Sequence, residues 1–139
     1  NTSHLRPRQA KKALNHQISR SGPHEPAAIG AILRKADAFV LCSTLETQSL
    51  VLIEALLSGL PCISSSCGGP EDILQDAEQG TLFPVGDKNA LVSAMKALYD
   101  KGPSSFAARQ RRHHYAMDRY GNPEVHLAAL YRNLLPNHV

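Results

Sequence analysis

Two glutamates that stand eight positions apart are the residues of this sequence best suited to ligand chemistry. Glu46 precedes, and Glu54 lies within, a segment that is otherwise almost entirely apolar. Burying an unpaired carboxylate is costly, so Glu54 is expected to meet a ligand, to pair with an arginine or to surface through a gap. A carboxylate offers two acceptor oxygens, which match the adjacent hydroxyl groups of a ribose or a hexose.

Glu46 falls in a predicted turn between a strand and a helix. Ligands of open α/β sheets bind in the crevice at the carboxyl ends of the strands. The next residues, Thr47, Gln48 and Ser49, place backbone N–H groups at a helix N-terminus, which is a ready anion site. At about 1.5 Å per helical residue, Glu46 and Glu54 are separated by at most about 12 Å. One ligand with a sugar, a phosphate and a ribose could therefore contact both, although a capping or solvent-exposed turn residue is the alternative for Glu46.

A glycine pair, Gly68 and Gly69, opens a further predicted helix. Glycine permits close backbone approach, so the pair is a second candidate anion site, with a plain tight turn as the alternative. The serine run 64–66 lacks the surroundings of a nucleophile elbow, and no nucleophilic catalysis is predicted there. The seven histidines show no metal-binding spacing, so no metal site is predicted.

The predicted elements alternate between strands and helices, which favours a parallel α/β sheet with right-handed crossovers. Strands are predicted at 38–43, 62–66 and 80–85, with a weaker one at 16–19. Helices are predicted at about 8–14, 26–35, 48–58, from 70, at 88–99, 103–119 and from 123. Three to four strands are fewer than a complete doubly wound sheet has, so we predict the second half of a Rossmann-like domain.

Composition bounds the class of protein. The chain has 139 residues, of which 42% are apolar and 19% charged, as in a single globular domain; residues 1–15 are basic and predicted loose or briefly helical. The net charge of +3 and the few aromatic residues do not favour a nucleic-acid partner. Of three cysteines, Cys42 and Cys62 lie in predicted buried strands, which favours a reduced, intracellular protein. No apolar run is long enough to span a membrane.

The segment around the two glutamates resembles the group 1 glycosyltransferases, which are family 4 retaining enzymes of GT-B fold. That family has a serine, a glutamate and a second glutamate in a fixed pattern, then a glycine-proline pair, then a glycine pair with a glutamate. Here these stand as STLETQSLVLIEA from Ser43 to Ala55, GLPCI from Gly59 to Ile63, and GGPE from Gly68 to Glu71. The likeness extends from about Ile18 to Leu135.

The resemblance implies a nucleotide-diphosphate sugar donor, held in a cleft between two Rossmann-like domains and transferred with retention of configuration, usually without a metal. It implies that Glu54 binds the ribose hydroxyls and that Glu46 is the catalytic residue near the donor sugar. The backbone of Thr47, Gln48, Ser49 and Leu50 would contact sugar and diphosphate. The acceptor would be a glycan, a lipid-linked or another polysaccharide precursor.

Two departures from the family pattern affect these expectations. The usual aromatic-glycine pair is Gln48-Ser49 here, and no segment matches the basic residues that clamp the diphosphate. The amino-terminal acceptor domain is also absent, and the sequence begins without Met. We therefore expect a carboxyl-terminal part of a larger cytoplasmic enzyme. This part should be inactive alone, and its parent is expected to contact a membrane peripherally. The alternatives are a nucleotide-sugar epimerase of related fold and a non-catalytic module that binds a protein or a membrane surface through residues 109–114.

Overall fold

The structure is a computed structural model that describes residues 21–121, which form a three-stranded parallel sheet with flanking helices. In chain order the elements are α1 (Pro26–Lys35), β1 (Phe39–Leu41), α2 (Leu50–Leu57), β2 (Cys62–Ser65), α3 (Gly69–Ile73), β3 (Gly80–Phe83), α4 (Lys88–Lys101) and α5 (Phe106–Tyr120). The expected α/β class is confirmed, and the predicted helix and strand at 8–14 and 16–19 and the helix from 123 lie outside the described residues.

The sheet has the order β1-β2-β3, with Val40 opposite Ile63 and Ser64 opposite Leu82. Because all three strands run in the same direction, their carboxyl ends share one edge of the sheet. The loops after β1, β2 and β3 therefore gather at that edge, where open α/β sheets bind ligands.

The core lies between the sheet, α2 and α5. Helix α2 is apolar on nearly every face, and its residues Leu52, Ile53, Ala55 and Leu56 are buried. Gly59 follows the C-cap of the helix, its φ of +79° suits glycine, and a Cβ there would lie 2.9 Å from the backbone of Arg109. Helix α5 thus packs closely across the end of α2 because this position has no side chain.

A buried arginine fastens α5 to the sheet layer. Arg112 is 5% exposed, and its Nε donates to the carbonyl of Glu78 at 2.7 Å, while Nη1 donates to the carbonyl of Gly59 at 3.0 Å and to Ser104 Oγ at 3.1 Å. Burial lowers the pKa of Arg112, and the nearby carboxylate of Glu78 acts in the opposite direction. The guanidinium therefore donates hydrogen bonds to two loop carbonyls that would otherwise lack a donor in the interior.

Strand β1 was predicted to be covered on both faces, but one of its faces is partly exposed. Val40, at its centre, is 37% exposed and lines an apolar cavity of about 340 Å³ beside α4. The reason is that α4 packs against β2 and β3 and leaves that face of β1 open. Cys42, predicted to be buried in this strand, lies beyond its end and is exposed, whereas Cys62 in β2 is buried as predicted.

Candidate functional site

The loops after β1 and β2 are joined at the carboxyl edge of the sheet. The N–H of Glu46 donates to the carbonyl of Cys67 at 3.1 Å, and the N–H of Gly69 donates to the carbonyl of Glu46 at 2.7 Å. Glu46 and Gly68 form an isolated parallel bridge. The structure thus brings the first glutamate and the glycine pair together, although more than twenty positions separate them in the sequence.

The glycine pair makes this junction possible. Gly68 has a φ of +120°, and a Cβ on it would lie 2.6 Å from the carbonyl oxygen of Glu46. A Cβ on Gly69 would lie 3.0 Å from the carbonyl oxygen of Thr47. The close approach at Gly68 and Gly69 is therefore made to the loop that carries Glu46, and an anion site at this pair stays a prediction.

The carboxylate of Glu46 is held in place. Ser43 Oγ donates to Glu46 Oε1 at 2.8 Å, and the backbone carbonyl of Ser43 accepts a hydrogen bond of 2.6 Å from Ser65 Oγ. Glu46 is half-buried, with one carboxylate oxygen engaged by a residue that is itself tied to β2. Its position is therefore set by the protein and needs no ligand to fix it.

Helix α2 begins directly after this junction. Its N-cap is Ser49, which makes no side-chain cap hydrogen bond, and Thr47 and Gln48 before it are exposed. Ser49 is 1% exposed, and within residues 21–121 its Oγ has no hydrogen-bond partner. The positive end of the helix dipole thus lies beside Glu46 without a capping side chain to neutralise it.

Glu54 is exposed, which agrees with the alternative that its side chain reaches the surface. It surfaces through a gap between α1 and α2, where it lines a cavity of about 170 Å³. The other lining residues are Ile29, Gly30, Leu33, Leu57 and Ser58. The sequence could not show this gap, because α1 covers the neighbouring apolar positions of α2 but leaves this one in contact with solvent.

A basic residue that the sequence reasoning missed lies near the junction. Arg119, near the end of α5, lines a cavity of about 190 Å³ together with Thr47, Gln48 and Gly69. Its Nη1 donates to Gln75 Oε1 at 3.2 Å, and its guanidinium lies 5.9 Å from the ring centroid of Tyr120. No local signal in the sequence could link Arg119 to Gln48, since only the packing of α5 brings them together.

A second missed residue, Lys88, lies at the same edge of the sheet. It lines a cavity of about 220 Å³ together with Cys42, Ser43 and Ser65, at the ends of β1 and β2. Lys88 is the first residue of α4, behind the capping carboxylate of Asp87. The edge that carries Glu46 is thus bordered by a cation on each side, Arg119 and Lys88.

Two kinds of feature, a cluster of metal ligands and a membrane-spanning helix, do not occur in the part of the chain that the structure describes. Within it, no three His, Cys, Asp or Glu side chains are grouped to hold a metal ion. No helix between residues 21 and 121 is both long and apolar enough to cross a bilayer. Burial raises the pKa of the Cys62 thiol to about 12, so this cysteine is no nucleophile at neutral pH.

Comparison with known proteins gives a consistent family. The family model described as "Glycosyl transferases group 1" matches residues 2–101. N-acetyl-alpha-D-glucosaminyl L-malate synthase of Bacillus anthracis is 34% identical over 74 residues, 52% of this chain and 19% of that protein. GDP-mannose-dependent alpha-mannosyltransferase of Mycobacterium tuberculosis is 45% identical over 76 residues, 53% of this chain and 20% of that protein.

A solved structure has the same fold. Sucrose-phosphate synthase from Thermosynechococcus elongatus superimposes with a TM-score of 0.70 over 91% of this chain and 34% of that chain, at 22% identity. Matches to the two curated relatives cover about a fifth of each relative's length, so this chain corresponds to a minor part of such proteins.

Proposed function

The chain belongs to the group 1 glycosyl transferases, and we propose that it is the donor-binding part of an enzyme that transfers a sugar, with retention of configuration, from a nucleotide-diphosphate sugar to an acceptor. The observation that carries this proposal is the junction of the Glu46 loop with Gly68 and Gly69 at the carboxyl edge of the sheet. It places a fixed carboxylate, an uncapped helix N-terminus and closely packed glycines in one location.

The diphosphate is assigned to the start of α2. The partial positive charge of a helix N-terminus attracts phosphate, and the backbone from Thr47 to Leu50 supplies N–H groups there. Gly68 and Gly69 keep side chains out of the site, while their N–H groups already donate to Glu71 Oε2 at 2.9 Å and to the carbonyl of Glu46 at 2.7 Å. Arg119 and Lys88, which border the edge, are candidates for the cationic contacts that the sequence did not reveal. The proposal needs no metal ion.

Glu46 is assigned to the reacting end of the donor. The hydrogen bond from Ser43 Oγ holds one carboxylate oxygen, which leaves the other for the donor sugar. A carboxylate fixed in advance loses little conformational entropy when the substrate binds.

Glu54 is assigned to the ribose. An exposed carboxylate can accept hydrogen bonds from two adjacent hydroxyl groups. The cavity around it has apolar walls from Ile29 and Leu33 of α1, which suit the nucleoside portion of a donor. The name of the mannosyltransferase relative specifies GDP-mannose, which is one donor of the proposed class.

The remaining parts of the reaction are assigned to the parent protein. A separate amino-terminal domain would bind the acceptor and complete the cleft, and a peripheral contact of that parent with the cytoplasmic face of a membrane would bring lipid-linked acceptors within reach. The chain alone is expected to bind nucleotide sugars weakly and to transfer nothing.

The proposal is tested by titrating the labelled chain with UDP-, GDP- and ADP-sugars and following backbone NMR shifts. We expect saturable shifts between Glu46 and Glu54 and at Gly68 and Gly69 for one nucleotide. Glu54→Gln should weaken that binding about tenfold, the value of one or two charge-assisted hydrogen bonds, while the matched exposed carboxylate variant Asp100→Asn should bind like wild type. Absence of shifts at these residues for every nucleotide would refute donor binding by this chain.

A further inference from the structure

A basic cavity of about 380 Å³ lies at the other end of α2, between α1 and α5. We propose that this basic cavity binds the phosphate group of a small soluble phosphate ester, at a site separate from the donor site. Its polar and aromatic lining residues are Arg34, Ser58, Phe106, Arg109, Gln110, His113 and His114. It borders the carboxyl end of α2, whereas the proposed diphosphate site is at the amino end, about 12 Å away for eight residues.

Two of the side chains that line the basic cavity, those of Arg109 and His113, are held by hydrogen bonds to neighbouring backbone. Arg109 Nη2 donates to the carbonyl of Ala36 at 2.6 Å, and His113 Nδ1 lies 2.6 Å from the carbonyl of Leu57. A carbonyl oxygen only accepts, so Nδ1 carries the hydrogen, and Nε2 is on the far side of the ring. The guanidinium of Arg109 has five N–H donors in a planar arrangement. Its hydrogen bond to Ala36 orients the group and leaves other N–H donors available for a ligand.

Within residues 21–121, neither Arg34 nor Arg109 forms an ion pair with a carboxylate. None of the residues that line the basic cavity is acidic. The carboxylate of Glu78 pairs with Arg111, at a distance of 2.5 Å, and so does not neutralise Arg34 or Arg109. Carbonyl groups at the end of α2 contribute about half a negative charge, which two guanidinium groups exceed.

The dimensions of the basic cavity favour a small ligand over an extended surface. Pockets for small molecules are concave and have volumes of about 300 to 1,000 Å³, a range that includes this one. Arginine forks bind phosphate with two parallel hydrogen bonds, which gives phosphate an advantage over monovalent anions such as chloride. Phe106, 75% exposed at the rim, offers an apolar face for the rest of the ester.

The test is a titration of the ¹⁵N-labelled chain with inorganic phosphate at constant ionic strength, with chloride as the exchanged anion. We expect saturable shifts of the amides of residues 106–114 and of Arg34. The double variant Arg34→Gln/His114→Gln should weaken the affinity about tenfold. The matched variant Arg111→Gln, on the same helix but paired with Glu78, should change it less than twofold.

Three results would overturn the proposal. The first is a linear, unsaturated response to phosphate equal to that of chloride. The second is an equal loss of affinity in Arg111→Gln, which would indicate general electrostatic attraction. The third is binding to vesicles of phosphatidylcholine with one-fifth phosphatidic acid but not to inorganic phosphate, which would identify a lipid surface as the partner. Because the nucleotide-sugar titration reports on other residues, either proposal can fail alone.

Discussion

At the scale of single residues, the two glutamates differ in how firmly the fold holds them. Glu46 is half-buried and receives a hydrogen bond from Ser43, whereas Glu54 is exposed in an open cavity. A residue near a reacting centre benefits from fixed geometry, because misplacement by about 1 Å is enough to lower the rate about a hundredfold. A residue that accepts hydrogen bonds from a ribose needs only access and charge.

The fixed position of Glu46 leads to a prediction for the parent enzyme. Ser43→Ala removes the donor to Glu46 Oε1 and leaves the carboxylate free to rotate, so we expect kcat to fall about tenfold with little change in the KM for the donor. Steady-state kinetics measures both constants. The exposed neighbour Ser66, changed to Ala, is the control, and an unchanged kcat in Ser43→Ala would show that this hydrogen bond does not position the catalytic group.

Cys42 and Cys62 should differ sharply in reactivity. Cys42 is exposed, whereas burial raises the pKa of Cys62 to about 12, so only about one in ten thousand Cys62 thiols is ionised at pH 8. We expect iodoacetamide to alkylate Cys42 at least about a hundredfold faster than Cys62, as measured by mass spectrometry of peptides over time. In guanidinium chloride the two rates should converge, and similar rates in the native chain would contradict the buried position of Cys62.

At the scale of elements, α4 and α5 have side-chain N-caps, whereas α1 and α2 have none. Asp87 accepts from the N–H of Ala90 at 2.9 Å and Ser105 from that of Ala108 at 3.1 Å, whereas Ser49 makes no such bond. A capping side chain at α2 would occupy the N–H groups that an anion needs. The absence of a side-chain cap on α2 is therefore consistent with the proposed phosphate site. It also means that this end of the helix lacks the stability that a cap would add.

The cap of α4 gives a prediction about stability. Asp87→Ala removes the acceptor for the N–H of Ala90, and we expect the free energy of unfolding to fall by about 1 kcal/mol. Urea denaturation followed by circular dichroism measures the change. Asp100→Ala, in the same helix, removes only the exposed pair with Lys96, whose nitrogen and oxygen are 3.5 Å apart, and should cost less than about 0.5 kcal/mol. Equal effects would mean that Asp87 acts by charge alone.

At the scale of the whole molecule, α5 is the element that joins distant parts of the chain. Arg112 binds the carbonyls of Gly59 and Glu78, and Tyr115 Oη donates to the carbonyl of Ile73 at 2.7 Å. The same helix brings Arg119 beside Gln48 and Arg109 beside the end of α2. Both proposed sites therefore depend on the position in which α5 packs against the rest of the protein.

Removing the buried arginine tests this dependence. Arg112→Leu leaves the carbonyls of Gly59 and Glu78 without donors, and we expect a loss of at least about 3 kcal/mol in the free energy of unfolding, by urea denaturation. Arg111→Leu, which breaks only a surface ion pair on the same helix, should cost no more than about 1 kcal/mol. If the two variants lose similar stability, α5 is held by its apolar contacts and not by Arg112.

The class of fold, the order of the elements and the position of the glutamates and glycines along them were all predictable from the sequence. Those features depend on local rules: apolar periodicity, glycine and proline at element ends, and strand–helix alternation, all of which act over a few residues. The bounds of α1 agree with the prediction, while α2 is two residues shorter at its start, because residues 48 and 49 form the loop at the junction.

Which of these residues lie close together in space depends on the tertiary structure. The bridge between Glu46 and Gly68, the gap that exposes Glu54 and the approach of Arg119 to Gln48 arise from packing between segments distant in sequence. The sequence pattern around a lone carboxylate in an apolar helix favours burial. Its exposure depends on whether the neighbouring helix leaves a gap at that position. Side-chain burial is a property of neighbouring elements, and no pattern within one element contains it.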